Sequence, residues 1–144
     1  MKARIHLLSF ILISLLLSSA RSTFAQTPCG DIAPSNLTYA PSSYTISTAT
    51  ESLLSALGDK MRANPDCRVV VTGSAGGTKF AQELSWLRVY GVIEYMSDRL
   101  NIDRARFIFN YEGVAPADQI ICRGAYEGEE GPSNVPEPHP DQKR

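Results

Sequence analysis

The stretch from Val69 to Thr78 combines an apolar run with a glycine-rich loop. "VVVTG" (Val69–Gly73) is followed by "SAGGT" (Ser74–Thr78), and a helical pattern begins directly after it. The first turn of a helix has free backbone N–H groups and a partial positive charge. Such a loop is therefore a potential site for a phosphate or a carboxylate.

Neither of the common nucleotide-binding patterns fits this loop. A P-loop needs two glycines separated by four residues and then Lys and Ser or Thr, but Thr78 stands five residues after Gly73. A dinucleotide loop needs glycine at its first, third and sixth positions, and here Ala75 and Thr78 stand at the third and sixth. Nucleotide is not expected. Two alternatives stay open: the glycines only form a tight turn, or the helix start binds a carboxylate.

Residues for catalysis or metal binding are scarce. His139, in the C-terminal tail, is the one histidine beyond the N-terminal segment, and the cysteine spacing fits no zinc pattern. Ser85 lacks the Gly-x-Ser-x-Gly setting of a hydrolase nucleophile. We therefore expect no enzyme activity, no metal and no cofactor.

The N-terminal segment has the layout of a secretory signal peptide. Lys2 and Arg4 precede an apolar stretch (Leu7–Leu17), and small residues at Thr23 and Ala25 form a cleavage site. A membrane anchor is the alternative, but the apolar stretch is shorter than the ~20 residues that span a bilayer. We expect a signal peptide over residues 1–25 and export of the rest. That part has 11 basic and 15 acidic residues and no basic patch, so nucleic acid is not an expected partner.

Three cysteines, Cys29, Cys67 and Cys122, lie in the exported part, where oxidising surroundings permit disulfides. Because three is odd, at most one bridge forms within the chain. Cys67 and Cys122 lie in predicted strands, whereas Cys29 lies on a lead-in that can approach a partner to the ~7 Å between Cα atoms that a bridge allows. Any bridge is therefore predicted to use Cys29. The alternative is three free thiols.

Two helices are predicted from hydrophobic periodicity. Apolar residues recur at helical spacing from Leu53 to Met61, Thr48–Glu51 has capping-box spacing, and Pro65 ends the helix, which gives Ala49–Asn64. A second apolar stripe predicts a helix over Lys79–Leu100; its members are Val89, Val92, Ile93, Met96 and Leu100.

Four strands complete the predicted fold. They are Tyr44–Ile46, a continuous β-branched strand Cys67–Gly73, Arg106–Tyr111 and Gln119–Arg123. Residues 26–43 form an irregular lead-in, apart from strand-like Leu37–Tyr39. The order β-α-β-α-β-β over residues 44–126 predicts a two-layer α/β (α+β) sandwich, with a mixed sheet and two helices on one face. Residues 127–144 are acidic and proline-rich and are predicted to form a disordered tail.

Residues 44–123 resemble an OmpA-like domain, the peptidoglycan-associated module of Gram-negative envelope proteins. The matching features, in order, are Asn64-Pro65, the strand Val69–Gly73, Leu84-Ser85 with Arg88, Arg106–Phe109 and Gly113. The resemblance implies the fold derived above. It also implies a location in the periplasm or on the periplasmic face of the outer membrane, with peptidoglycan or envelope proteins as partners.

In the family the ligand is the diaminopimelate of peptidoglycan. A loop Asp binds its ammonium, and a helix Arg with backbone amides binds its carboxylate, as suits a guanidinium. Arg88 matches that arginine, whereas "SAGGTK" replaces the loop that carries the Asp. Ser74, Thr78 and Arg88 are therefore the candidate ligand-binding residues, with diaminopimelate binding weakened or lost.

Three alternatives remain open at this point. Arg88 could instead pair with a surface carboxylate. Trp86 and Tyr90 are either packing residues or a surface for a sugar. The leading hypothesis is an exported, non-catalytic envelope domain, and the second is a protein-interaction or structural domain of the envelope with no cell-wall ligand.

Overall fold

The computed structural model describes residues 29–74, 76–110 and 113–132. The predicted signal peptide, Tyr111 and the end of the tail lie outside these residues. None of the described helices is both long enough and apolar enough to cross a membrane.

In the described part of the chain, four strands and two α-helices form the domain. The strands are β1 (Ser35–Thr38), β2 (Val69–Thr72), β3 (Phe107–Asn110) and β4 (Gln119–Gly124). The helices are α1 (Thr48–Ala63) and α2 (Lys79–Glu94); a π-helical turn, Tyr95–Arg99, extends α2, and a 3-10 turn, Arg104–Arg106, precedes β3.

The four strands form one mixed sheet in the order β1-β4-β2-β3. β2 and β3 are parallel and are connected through α2, while β4 runs antiparallel to both β1 and β2. β4 therefore lies inside the sheet although it is the last strand of the chain. The predicted mixed sheet is confirmed.

Both helices pack on the same face of the sheet. Side chains of α1 (Leu54, Met61) and α2 (Val92) join Val71 and Phe107 in one buried cluster. The alternate strand residues Val70 and Ile108 point to the other face, where they form a small cluster with Ala125. The predicted two-layer sandwich with helices on one face is thus confirmed.

The first strand is not where the sequence predicts it. Residues 43–47 have no regular structure and Tyr44 is exposed, so the predicted strand Tyr44–Ile46 is wrong. The strand is β1, inside the predicted irregular lead-in, where Leu37 is buried and pairs with Ile120. The start of the 43–47 segment is instead tied to α2, since the Ser43 carbonyl accepts a hydrogen bond from Arg88.

Helix α1 begins one residue earlier than the capping box suggests. Ser47 is the N-cap, and its hydroxyl accepts from the Thr50 amide at 3.2 Å. At the other end, the Arg106 guanidinium donates to the carbonyls of Met61 and Asn64. Since the last carbonyls of a helix have no partner within it, Arg106 satisfies α1 from outside.

The predicted bridge through Cys29 is confirmed. Cys29 pairs with Cys67, and their Cα atoms are 5.4 Å apart. The residues before β1 are thereby fixed to the start of β2, and Gly124 of β4 lies so close to Cys29 that no side chain would fit there. Cys122 is a free, buried thiol.

Residues 127–132, which the sequence predicts to be part of the disordered tail, pack against the sheet in the structure. The Phe109 amide donates to the Pro132 carbonyl, and Gly131 lies against Ile108. This contact is possible because β3 is an edge strand with outward-facing amides. Residues 133–144, the rest of the predicted tail, lie outside the described residues.

Candidate functional site

The loop between β2 and α2 is a tight turn. The Gly76 amide donates to the Ser74 carbonyl at 2.8 Å, and a side chain at position 76 would collide with Ala81. Ser74 also forms a bridge with Val114 in the loop before β4. A glycine is needed at position 76 because the loop passes so close to the helix. This agrees with the first alternative above, in which the glycines only form a tight turn. Ala75 lies outside the described residues.

Thr78 is the N-cap of α2. Its hydroxyl accepts from the Ala81 amide at 3.1 Å, and its carbonyl accepts from the Gln82 amide. A hydroxyl at this position satisfies one of the free amides of the first helical turn. The Thr78 side chain is thus used by the helix itself, and Thr78 does not line the cavity described below.

Arg88 lies in the middle of α2 and is buried, with only 5% of its side chain exposed. Its Nε donates to the Ser43 carbonyl at 2.7 Å, and its Nη2 donates to the Ala40 carbonyl at 3.1 Å. Nη2 also donates to Asp118 Oδ1 at 2.8 Å. The guanidinium therefore joins α2 to the segment between β1 and α1 and to the turn before β4.

The ring of Tyr39 covers the same cation. The Arg88 Cζ is 4.9 Å from the ring centroid, which is within the range of a cation–π contact. Tyr39 is buried, and this burial raises the pKa of its phenol far above the ordinary value. The phenol is thus neutral, and its ring lies over a buried cation.

Asp118 supplies the charge that neutralises Arg88. It occupies the third position of a turn closed by a hydrogen bond from the Gln119 amide to the Pro116 carbonyl, and its φ is 59°. Asp is among the few residues with a side chain that tolerate this left-handed conformation. The Asp118 carbonyl accepts from the Tyr39 amide at 2.9 Å, so the same residue also holds the end of β1.

Sequence reasoning missed Asp118. The one available signal is the acidic residue directly before the last strand, and nothing local places it opposite Arg88. That arrangement follows from the insertion of β4 between β1 and β2, which is a property of the whole sheet.

A cavity of about 140 Å³ lies beside the ion pair. It separates the first half of α2 from the turn that carries Asp118. Two of the three predicted site residues, Ser74 and Arg88, contribute to its wall. The full lining is Ser74, Gly76, Ala81, Leu84, Ser85, Arg88, Ala117, Asp118, Gln119 and Ile120.

Trp86 and Tyr90 of α2 pack with the core in the structure. Trp86 is buried and stacks on Tyr90, with ring centroids 5.0 Å apart and an interplanar angle of 10°. Phe109 of β3 meets the Trp86 ring edge-on, with centroids 6.0 Å apart. Because the indole is enclosed in the core, it offers no surface to a sugar.

Within residues 29–74, 76–110 and 113–132, no group of three or more His, Cys, Asp or Glu side chains is arranged to hold a metal ion. No protein-family model and no curated protein sequence matches the chain.

Proposed function

We propose that this chain is an exported, non-catalytic domain of the Gram-negative cell envelope, related to the peptidoglycan-associated OmpA-like modules that residues 44–123 resemble. We further propose that its binding of diaminopimelate is weak or lost. The observation that carries the second proposal is the set of internal partners around Arg88. The first rests on the signal-peptide pattern and on the resemblance.

The position of Arg88 supports a structural role. A ligand carboxylate would have to displace or outcompete acceptors that are covalently part of the domain, namely the Ala40 and Ser43 carbonyls and Asp118. These acceptors carry no cost of association, whereas a ligand must lose translational and rotational freedom to bind. A free carboxylate is therefore a poor competitor at this guanidinium.

The charge balance of the cavity points the same way. Asp118 lies 2.8 Å from the Arg88 guanidinium, so this wall of the cavity has no uncompensated positive charge. Removal of one charged hydrogen-bonding partner costs ~1.5–3 kcal/mol, or roughly ten- to a hundredfold in affinity. The ammonium group of diaminopimelate finds no loop Asp in this chain. Diaminopimelate should therefore bind more weakly here than to the family's domains, by about that factor.

A second candidate function is a protein-interaction domain without a cell-wall ligand. It is favoured by exposed apolar side chains next to the cavity-lining residues. Phe80 precedes Ala81, and Val114 forms a bridge with Ser74; these side chains are 61% and 97% exposed. Each of these side chains adjoins a residue of the cavity wall, so apolar surface borders the cavity and could contact a partner.

Cosedimentation of the full chain with insoluble peptidoglycan tests the proposal. Any retention should persist in excess diaminopimelate-containing stem peptide and in Asp118→Asn, because Asn tolerates the positive φ of this turn; Asp98→Asn is the matched control in an exposed ion pair. Retention that is removed both by the stem peptide and by Asp118→Asn, with the variant shown to be folded by circular dichroism, would contradict the proposed loss of diaminopimelate binding. A chain that is never retained favours the second candidate function.

A further inference from the structure

Tyr126, just after β4, is an exposed aromatic residue that the structure holds in a fixed position. It is 65% exposed, and the Arg123 Cζ lies 4.5 Å from its ring centroid. Glu129 fixes this guanidinium through hydrogen bonds of 2.8 and 2.7 Å from Nη1 and Nη2. One face of the ring is therefore covered by a clamped cation, and the other face is open to solvent.

The backbone around the ring is also fixed. The Tyr126 amide donates to Glu129 Oε2 at 2.9 Å, and the Glu129 amide donates to the Tyr126 carbonyl at 3.1 Å. Gly128 at the third position of this turn has a φ of 73°, a conformation that favours glycine. A ring held in this way loses little conformational freedom when a ligand stacks on it.

Two shallow cavities border the ring of Tyr126, with volumes of about 210 and 240 Å³. Cys29 and Ala125 also contribute to both of them. One cavity lies towards residues 29–34, the arm before β1, and the other lies towards the start of β2. Because the Cys29–Cys67 bridge fixes that arm, the two cavities have a rigid common wall.

The larger cavity has polar side chains of both hydrogen-bonding types. The Arg68 guanidinium supplies hydrogen-bond donors, since Arg68 lines this cavity. Asp66 and Glu127 line the same cavity and supply carboxylate acceptors.

We infer that the Tyr126 ring and its two cavities form a carbohydrate-binding site. A sugar ring stacks its apolar C–H face on the open side of Tyr126. Its hydroxyls, which both donate and accept, accept from the Arg68 guanidinium and donate to the carboxylates of Asp66 and Glu127. These carboxylates repel ligands that carry phosphate groups, so a neutral sugar fits the cavity better than a nucleotide does.

The site is separate from the cavity beside Arg88. Asp118 and Gln119 stand at one end of β4, and Tyr126 follows the other end. At ~3.3 Å per strand residue, the two are about 20 Å apart. The inference therefore stands independently of the proposed loss of diaminopimelate binding.

Titration of the full, oxidised, ¹⁵N-labelled chain with soluble oligosaccharides of glucose and N-acetylglucosamine, in α- and β-linked forms, tests the inference. Amide shifts should concentrate at Arg68, Tyr126 and Gly128. Tyr126→Ala should weaken binding roughly tenfold, since a stacked aromatic contact is lost. Tyr126→Phe should bind like the parent chain, and Tyr44→Ala, at another exposed tyrosine, is the matched control.

Reduction of the disulfide is a second readout, because it frees the wall that both cavities share and should also weaken binding. Three outcomes would overturn the inference: no member of the panel shifts these amides, Tyr126→Ala binds as well as the parent chain, or Tyr44→Ala weakens binding to the same extent. Circular dichroism of each variant establishes that the fold is retained.

Discussion

Arg88 has a guanidinium of the kind that binds ligand carboxylates, but it is buried like a core residue. Its cation is hydrogen-bonded to two backbone carbonyls and to Asp118, and the Tyr39 ring lies over it. Buried charges are tolerated when they are paired and hydrogen-bonded in this way, and the removal of one member leaves the others without partners.

Arg88→Met should therefore lower the free energy of unfolding by about 3 kcal/mol, because three acceptors lose their donor in a buried setting. Urea denaturation followed by circular dichroism measures this change. The matched control is Arg104→Met, whose ion pair with Asp98 is 44% and 59% exposed and should contribute less than ~1 kcal/mol. Equal losses of unfolding free energy in the two variants would show that the contacts of Arg88 stabilise the domain no more than an exposed ion pair does.

Cys122 has the opposite character, that of a cysteine without reactivity. It is completely enclosed between β1 and β2, and burial raises the pKa of its thiol to about 12. The thiolate is the reactive form, so the thiol should resist alkylation at mildly alkaline pH until the domain unfolds. Mass spectrometry after iodoacetamide treatment, with and without urea, measures this. Rapid labelling of the native chain would contradict the burial.

At the scale of elements, the segment after β4 is held by the Arg123–Glu129 pair. The hydrogen bonds from Arg123 lower the pKa of Glu129 from its ordinary value of 4.5 to about 2. Because the folded pKa is depressed, the pair's contribution to stability is present above the unfolded pKa of about 4.5 and is lost as the pH falls towards 2.

Glu129→Gln should therefore destabilise the domain near neutral pH by about 1 kcal/mol, and the difference from the parent chain should vanish near pH 2. Urea midpoints of both proteins across this pH range measure it. Glu130→Gln, next in the chain, is the control. A difference that stays constant down to pH 2 would show that the pair does not carry the effect.

The arm before β1 depends on the disulfide. The bridge closes a loop with a sequence separation of 38 residues, for which the loss of chain entropy in the unfolded state corresponds to ~3–4 kcal/mol. The double variant Cys29→Ala/Cys67→Ala should lose about that much stability against urea. Reductant should destabilise the parent chain and leave the double variant unchanged. If the double variant is as stable as the oxidised parent, the arm is held by its other contacts.

At the scale of the whole molecule, local patterns predict the elements better than their arrangement. The stripe of α2 and the β-branched run of β2 identify their elements, because both are dominated by burial on one helix face or on both sheet faces. The first helix is predicted to within one residue at each end, since Pro65 is a local stop signal. The second is predicted to end at Leu100, whereas α2 ends at Glu94 and continues only as a π-helical turn to Arg99.

The rest depends on contacts between residues far apart in sequence. Leu37–Tyr39 ("LTY") and Tyr44–Ile46 ("YTI") have a similar alternation of apolar and polar residues. Only pairing with β4 determines that the strand forms at the first of them. The cation of Arg88 is visible in the sequence, but its partners at Ala40, Ser43 and Asp118 are set by where β1 and β4 enter the sheet. For the same reason Ser74 joins the cavity, whereas Thr78, only four residues later, is used as a helix cap.

Arg88 is either an internal cation or a ligand-binding one, and this distinction decides whether the domain binds diaminopimelate. The most direct measurement is an NMR titration of the full chain with a diaminopimelate-containing stem peptide, with the Arg88 Nε–H resonance followed throughout. We predict a dissociation constant in the millimolar range or weaker and an Nε–H signal that stays hydrogen-bonded to Ser43. Micromolar binding that shifts this resonance and is lost in a folded Asp118→Asn variant would contradict the internal role of Arg88.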